Sequence, residues 1–140
     1  MTRLDVVREH LALLGEALGV LDRHATDRPE DLRGDIERLY AIERALHRAI
    51  QNMLDLGAHL LADDFGRRFE EYRDIPLLLG DVGVLPSDLA TRLAPLAGLR
   101  NILVHAYLLV RLDLLLEHVR EDAPLLRRFA TVVEAYADGP

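Results

Sequence analysis

Apolar residues, mostly leucine, recur at spacings of three and four along most of the chain, and this repeat limits the fold more than any other feature. Leu4, Val7, Leu11, Leu14, Leu18 and Leu21 form one stripe, the buried face of an amphipathic helix. Thr2 suits its N-cap and Asp5 its first turn. Thr26-Asp27-Arg28-Pro29 breaks the pattern, and Pro29 fits the first turn of the next helix. Leu39, Ile42, Leu46, Ala49, Met53, Leu56 and Leu60 then hold a seam over about six turns. This second helix is predicted to begin between Pro29 and Asp35 and to stop before Gly66. Strict seams and short connections predict an antiparallel, up-and-down all-α bundle. With 30 Leu, 5% aromatic residues and few β-branched ones, the composition also favours helix over sheet.

The second half is less regular. Tyr72-Arg73-Asp74-Ile75-Pro76 reads as a helix start, with a short helix running to about Val82. Gly80, Gly83 and Pro86 mark its end, and Ser87 looks like the next N-cap. A fourth helix is predicted from about Asp88 to Leu109, kinked or divided at Pro95. Leu112, Leu115 and Val119 mark a fifth. Asp122-Ala123-Pro124 is predicted to cap a sixth that carries Leu125, Phe129, Val132 and Tyr136. The length of 140 residues fits one domain over 1–140.

Composition removes several functions. Without Cys there is no disulfide, thiolate catalysis or Cys-based zinc site. No apolar run approaches a membrane span and the N-terminus lacks a signal-peptide pattern, so a soluble, cytoplasmic protein is expected. A net charge of −7 argues against a broad basic surface for nucleic acid, so any such contact must come from a local cluster. Ser87, the single serine, sits in no nucleophile elbow, and Gly80-Asp81-Val82-Gly83 lacks the lysine and length of a phosphate loop. Glu43 with His47, and His59 with Asp63, are four apart and could share a metal, but surface helix pairs are the plainer reading. Neither a metal nor an organic cofactor is expected.

The segment that stands out is Leu99-Arg100-Asn101-Ile102-Leu103-Val104-His105-Ala106-Tyr107. Continuing the stripe Leu89, Leu93, Leu96 puts Arg100 where a core leucine belongs, followed by Leu103 and Tyr107. A second apolar stripe, Leu99, Ile102, Ala106 and Leu109, covers another side of the same helix. Arg in such a setting is costly unless it is paired or lies in a cleft. In a regular helix Arg100 and His105 diverge by about 140°. A second copy packed antiparallel would gather one Arg and one His from each chain. That group suits phosphodiester cleavage without metal. His takes a proton from a ribose 2′-hydroxyl or gives one to the leaving 5′-oxygen, and Arg stabilises charge growing on phosphorus. The same spacing also fits a buried Arg and His satisfied by neighbouring carboxylates, and by itself it favours that plainer reading.

Arg100-Asn101-x3-His105-x-Tyr107 resembles the Arg-x4-His-x-Tyr motif of HepT-like proteins in the HEPN ribonuclease superfamily. The flanks agree. Tyr40-Ala41-Ile42-Glu43-Arg44-Ala45-Leu46-His47-Arg48-Ala49-Ile50-Gln51 looks like that family's long second helix, and Ala58-His59-Leu60 like its continuation. Tyr72-Arg73-Asp74 and Gly83-Val84-Leu85-Pro86 resemble its middle connection. The similarity spans roughly residues 36–133. It implies a homodimeric all-α bundle with a composite cleft, the toxin of a type VII toxin–antitoxin module. It also implies an endoribonuclease acting on RNA, with tRNA a known target class. Arg100 and His105 would be catalytic, with Asn101 in support. Tyr107 would be a site residue and the target of AMP addition by an MNT-type nucleotidyltransferase antitoxin. Two other expectations are a non-catalytic HEPN module that binds nucleotide or a partner protein, and a structural dimerisation partner of a nucleotidyltransferase.

Overall fold

The computed structural model describes residues 2–105 and 111–139. Its elements are α1 (Thr2–Arg23), α2 (Pro29–Leu32), α3 (Ile36–Phe65), α4 (Asp74–Asp81), α5 (Ser87–Leu93), α6 (Leu96–Val104) and α7 (Leu112–Asp138). No strand occurs among the described residues. The fold is the all-α bundle that the leucine spacing predicts.

α3 is the central element. Asp35 accepts a hydrogen bond from the Arg38 amide at 3.1 Å and so caps its first turn. Its inner face, from Ile42 through Leu46, Ile50, Met53, Leu54, Leu56, Leu60 and Leu61, is fully buried. α1 covers one flank with Val7, Leu14 and Leu21, and α7 contributes Leu126, Phe129 and Val133. A buried polar tie joins α1 to α3: Asn52 accepts from His10 Nδ1 at 3.1 Å and donates to the Arg48 carbonyl at 2.9 Å.

Gly57 sets the approach of α4 to α3. A Cβ there would lie 2.5 Å from Ile75 Cγ2 and 3.0 Å from Leu79 Cδ1, so the missing side chain lets α4 sit directly on α3. Gly83, two residues beyond the end of α4, takes φ 84°. The Val84 amide reaches back to the Leu79 carbonyl at 2.9 Å and the Gly83 amide to Gly80 at 3.1 Å, a Schellman closure.

Several boundaries differ from the sequence expectation. Thr2 already belongs to α1, and Ser87 is the first residue of α5. Extended Pro86 (ψ 144°) holds the N-cap position, so the hydroxyl of Ser87 is not the cap. Pro95 divides the fourth helix into α5 and α6. The expected fifth and sixth helices are one: α7 runs through Pro124. Leu115, Leu116, Val119, Ala123, Leu126, Phe129 and Val133 form a single seam on both sides of the proline, all buried. Packing of that seam outweighs the roughly 3 kcal/mol that an interior proline costs. Asp122 does not cap a helix. It is buried, 8% exposed, and accepts from His118 Nδ1 at 2.8 Å.

Candidate functional site

α6 presents the candidate motif. Leu96, Ala97, Leu99 and Leu103 anchor it in the core. Arg100 lies half-buried at the edge of that face, while Asn101, Ile102 and His105 are exposed. Arg100 thus borders the core rather than replacing a core leucine. For Arg100, the surroundings also differ from the carboxylate-paired alternative. Arg100 Nε donates to Gln51 Oε1 at 2.7 Å, and Nη1 donates to Asn101 Oδ1 at 2.9 Å. Its guanidinium carbon stands 5.1 Å from the centroid of the Tyr72 ring. None of these partners carries a negative charge, and no carboxylate ion-pairs with Arg100 among the described residues. A guanidinium oriented by neutral groups keeps its full charge for an anion.

The clamp has a supporting layer. The Gln51 amide nitrogen donates to Asp55 Oδ1 at 2.8 Å. A carboxylate only accepts, so Asp55 fixes which end of the amide is which and turns the oxygen toward Arg100. Tyr72 precedes α4 and packs on Phe69 with ring centroids 5.9 Å apart. The seating of α4 on α3 at Gly57 therefore helps bring Tyr72 to Arg100.

His105 ends α6. Its φ of −101° and ψ of 64° leave the helical region, and its amide bonds to the carbonyls of Asn101 at 3.3 Å and Ile102 at 3.1 Å. The predicted run of helix to Leu109 is corrected at this point, just after β-branched Ile102 and Val104, which favour helix less than leucine does. The 140° divergence assumed helix through residue 105, so it no longer describes the pair. Asn101 touches both candidates, Arg100 through its side chain and His105 through its carbonyl. Tyr107, with Ala106 and Leu109, lies outside the described residues.

Beside this motif a groove of about 400 Å³ runs between α3 and α6, lined by Tyr40, Glu43, Arg44, His47, Leu103 and Val104. Burial lowers the His47 pKa, and the charges of Arg44, Arg100 and Arg48 lower it further. Burial raises the pKa of Glu43. His47 therefore registers a local cationic cluster within an acidic chain, the arrangement that the net charge of −7 demanded of any anion site. His59 Nε2 and Asp63 Oδ2 pair at 3.0 Å. Among the described residues no three His, Asp or Glu converge as a metal site. Sequence reasoning named Gln51 and Tyr72 only within the segments that resemble the family, not as site residues, and missed the groove. The available signal was a polar stripe on α3, Tyr40, Arg44, His47 and Gln51, spaced four, three and four.

The fold defines the class. The bundle aligns with the tri-AMPylated Shewanella oneidensis HEPN toxin in complex with MNT antitoxin, with a TM-score of 0.81 at 20% identity. The match covers 93% of this chain and 97% of that one. It is a HEPN-type helical bundle. The family model described as "Ribonuclease HepT-like" matches residues 8–133, and the chain belongs to that family. An Archaeoglobus fulgidus protein named "Putative RNase" is 34% identical over 106 residues, 76% of this chain and 79% of the relative. The tRNA nuclease HepT of Aphanizomenon flos-aquae is 29% identical over 110 residues, 76% of this chain and 74% of the relative.

Proposed function

We propose that the protein is the ribonuclease toxin of a toxin–antitoxin module, an endoribonuclease that cuts RNA, with tRNA as the substrate class. The observation that carries this reading is the Arg100 clamp: a guanidinium fixed from two sides by Gln51 and Asn101, backed by the Tyr72 ring, and held by neutral groups alone among the described residues. Such a group is prepared to receive the phosphate of a scissile bond and to stabilise charge building on it. His105, exposed at the adjoining helix end, is the proton-transfer group. As base it takes the 2′-hydroxyl proton, and that oxygen attacks phosphorus. The imidazolium of His105, here or from the second copy, protonates the leaving 5′-oxygen. The products are a 2′,3′-cyclic phosphate and a 5′-hydroxyl, and the step asks for no metal.

The resemblance and the relatives' names support three further parts of the proposal. The active form is a homodimer whose two motifs build one composite cleft. The partner is an MNT-type nucleotidyltransferase antitoxin. It silences the toxin by adding AMP to Tyr107, placing phosphate and adenine across the RNA path. The test is cleavage of purified tRNA by the chain with EDTA present. Arg100→Ala and His105→Ala should each remove activity while leaving the helical circular-dichroism spectrum intact, since acid–base catalysis alone contributes about 10²–10⁴-fold. Cleavage that survives His105→Ala, or that EDTA stops, overturns the assigned roles. For the antitoxin, intact-mass measurement after co-expression should show AMP increments on the wild type and none on Tyr107→Phe.

A further inference from the structure

We propose that the groove between α3 and α6 is a base-binding subsite, in which Tyr40 stacks on an unpaired base of the RNA while Glu43 and His47 read its edge. The inference rests on the nuclease reading only for the identity of the ligand as RNA. The groove itself stands on its geometry.

Four observations converge. First, the groove adjoins the phosphate clamp. Val104 and Leu103 immediately precede His105, and His47 lies one turn from Gln51, which holds Arg100. Along α3, Tyr40 is two further turns from His47, about 10.5 Å, and about 16.5 Å from Gln51. A strand whose phosphate meets Arg100 can therefore lay the base of a neighbouring nucleotide in the groove. Second, the volume of about 400 Å³ suits one base with its sugar rather than a long strand. Third, Tyr40 lines the groove and is 60% exposed. An aromatic face open to solvent at helical spacing from a cationic cluster is what a stacking platform requires.

Fourth, the polar groups match a base edge rather than a second phosphate. Arg44 Nη1 lies 3.2 Å from His47 Nδ1. Guanidinium has only donors, so Nδ1 must accept, and the neutral ring then carries its proton on Nε2. His47 offers one N–H donor with a fixed tautomer. Glu43, one turn before it on the same helix, offers a pair of acceptor oxygens that a phosphate would repel. Guanine alone carries two adjacent N–H donors beside a carbonyl acceptor on one edge. Its donors fit the Glu43 carboxylate, and its carbonyl fits His47 Nε2–H. Guanine is thus the base this groove should favour, at a fixed position near the bond that is cut.

The test uses the full chain in two measurements. Binding of fluorescein-labelled single-stranded oligoribonucleotides is followed by anisotropy on a His105→Ala background, with guanine-containing and guanine-free sequences. Tyr40→Ala should weaken binding of the guanine-containing strand by about 5–150-fold, the range expected from losing one base–aromatic stack. Tyr40→Trp should restore it, and Glu43→Gln should erase the difference between the two strands. Mapping of cut positions by the active chain should show guanine at a fixed position near the cut, and Glu43→Gln should scatter the cuts. Unchanged affinity and unchanged cut positions in Tyr40→Ala would overturn the subsite while cleavage itself upholds the nuclease. Absence of cleavage by the wild type, with binding that still depends on Tyr40 and is rescued by Trp, would sink the nuclease reading and leave the subsite standing. A change in oligomeric mass caused by Tyr40→Ala would assign the groove to a subunit contact and overturn the proposal.

Discussion

On the proposed function, Arg100 acts through what surrounds it. A carboxylate partner would have stabilised the guanidinium and spent its charge, whereas Gln51, Asn101 and Tyr72 orient it and leave the charge available. Gln51→Leu keeps the size of the side chain and removes the acceptor. Hydrogen bonds to charged groups contribute roughly 1.5–3 kcal/mol, so tRNA cleavage should fall about 10–100-fold with little change in melting temperature. Tyr72→Phe keeps the ring and should leave the rate near wild type, while Tyr72→Ala should lower it. His47 gives a second test. Its folded-state pKa is depressed, so the folded protein disfavours protonating it. The corresponding stability is present above the unfolded value of ~6.5 and is lost as pH falls through the lower, folded value. Burial is the first cause; Arg44 and Arg48 on α3 and Arg100 on α6 repel the imidazolium, while Glu43 in the same groove is itself made harder to ionise by burial. The melting temperature should therefore drop as the pH is taken from 7 toward 5, and His47→Gln should flatten that part of the profile. An identical profile in the variant would remove His47 from the account.

At the scale of elements, periodicity made α1, α3 and the all-helical class legible, because burial of a leucine stripe leaves one solution per segment. Arg100 was legible for the same reason: it interrupts a stripe. Its partners were not, since Gln51 and Tyr72 lie 49 and 28 positions away and only the packing of α3, α4 and α6 brings them near. The misreading at Pro124 has the opposite cause. Local chemistry there reads as a helix start, but the seam on either side is continuous and the core decides. Pro124 is exposed and its replacement loses little packing. Pro124→Ala should therefore restore the missing amide and raise stability by about 1–3 kcal/mol, read from denaturant midpoints. A lower midpoint would mean that α7 needs a bend at that residue. Gly57→Ala should do the reverse. Its Cβ collides with Ile75, so α4 must shift, at a cost of roughly 1–3 kcal/mol. Because α4 follows Tyr72, part of the cleavage rate should go with it.

For the whole molecule, the proposed function asks one exposed histidine and one clamped arginine per chain to make a complete site with a second copy. On α6, Ile102 lies within the motif, two residues from Arg100 and three from His105, and is 40% exposed. An apolar residue open to solvent there offers a contact through which a second copy would bring the two motifs together. A stable homodimer should bury on the order of 1,200–2,000 Å² in total. Light scattering at micromolar concentration should then give the dimeric mass, and Ile102→Glu should shift it toward the monomer. If the cleft is composite, that substitution should also abolish cleavage, although each chain keeps Arg100 and His105. Mixing sharpens the test. Arg100→Ala and His105→Ala dimers are each expected to be inactive. When the two variants are unfolded together and refolded, heterodimers retain one Arg100 and one His105, contributed by different chains. A composite cleft recovers a measurable part of the wild-type rate in that mixture. A site built within each chain recovers none, because every chain in the heterodimer lacks one of the two groups.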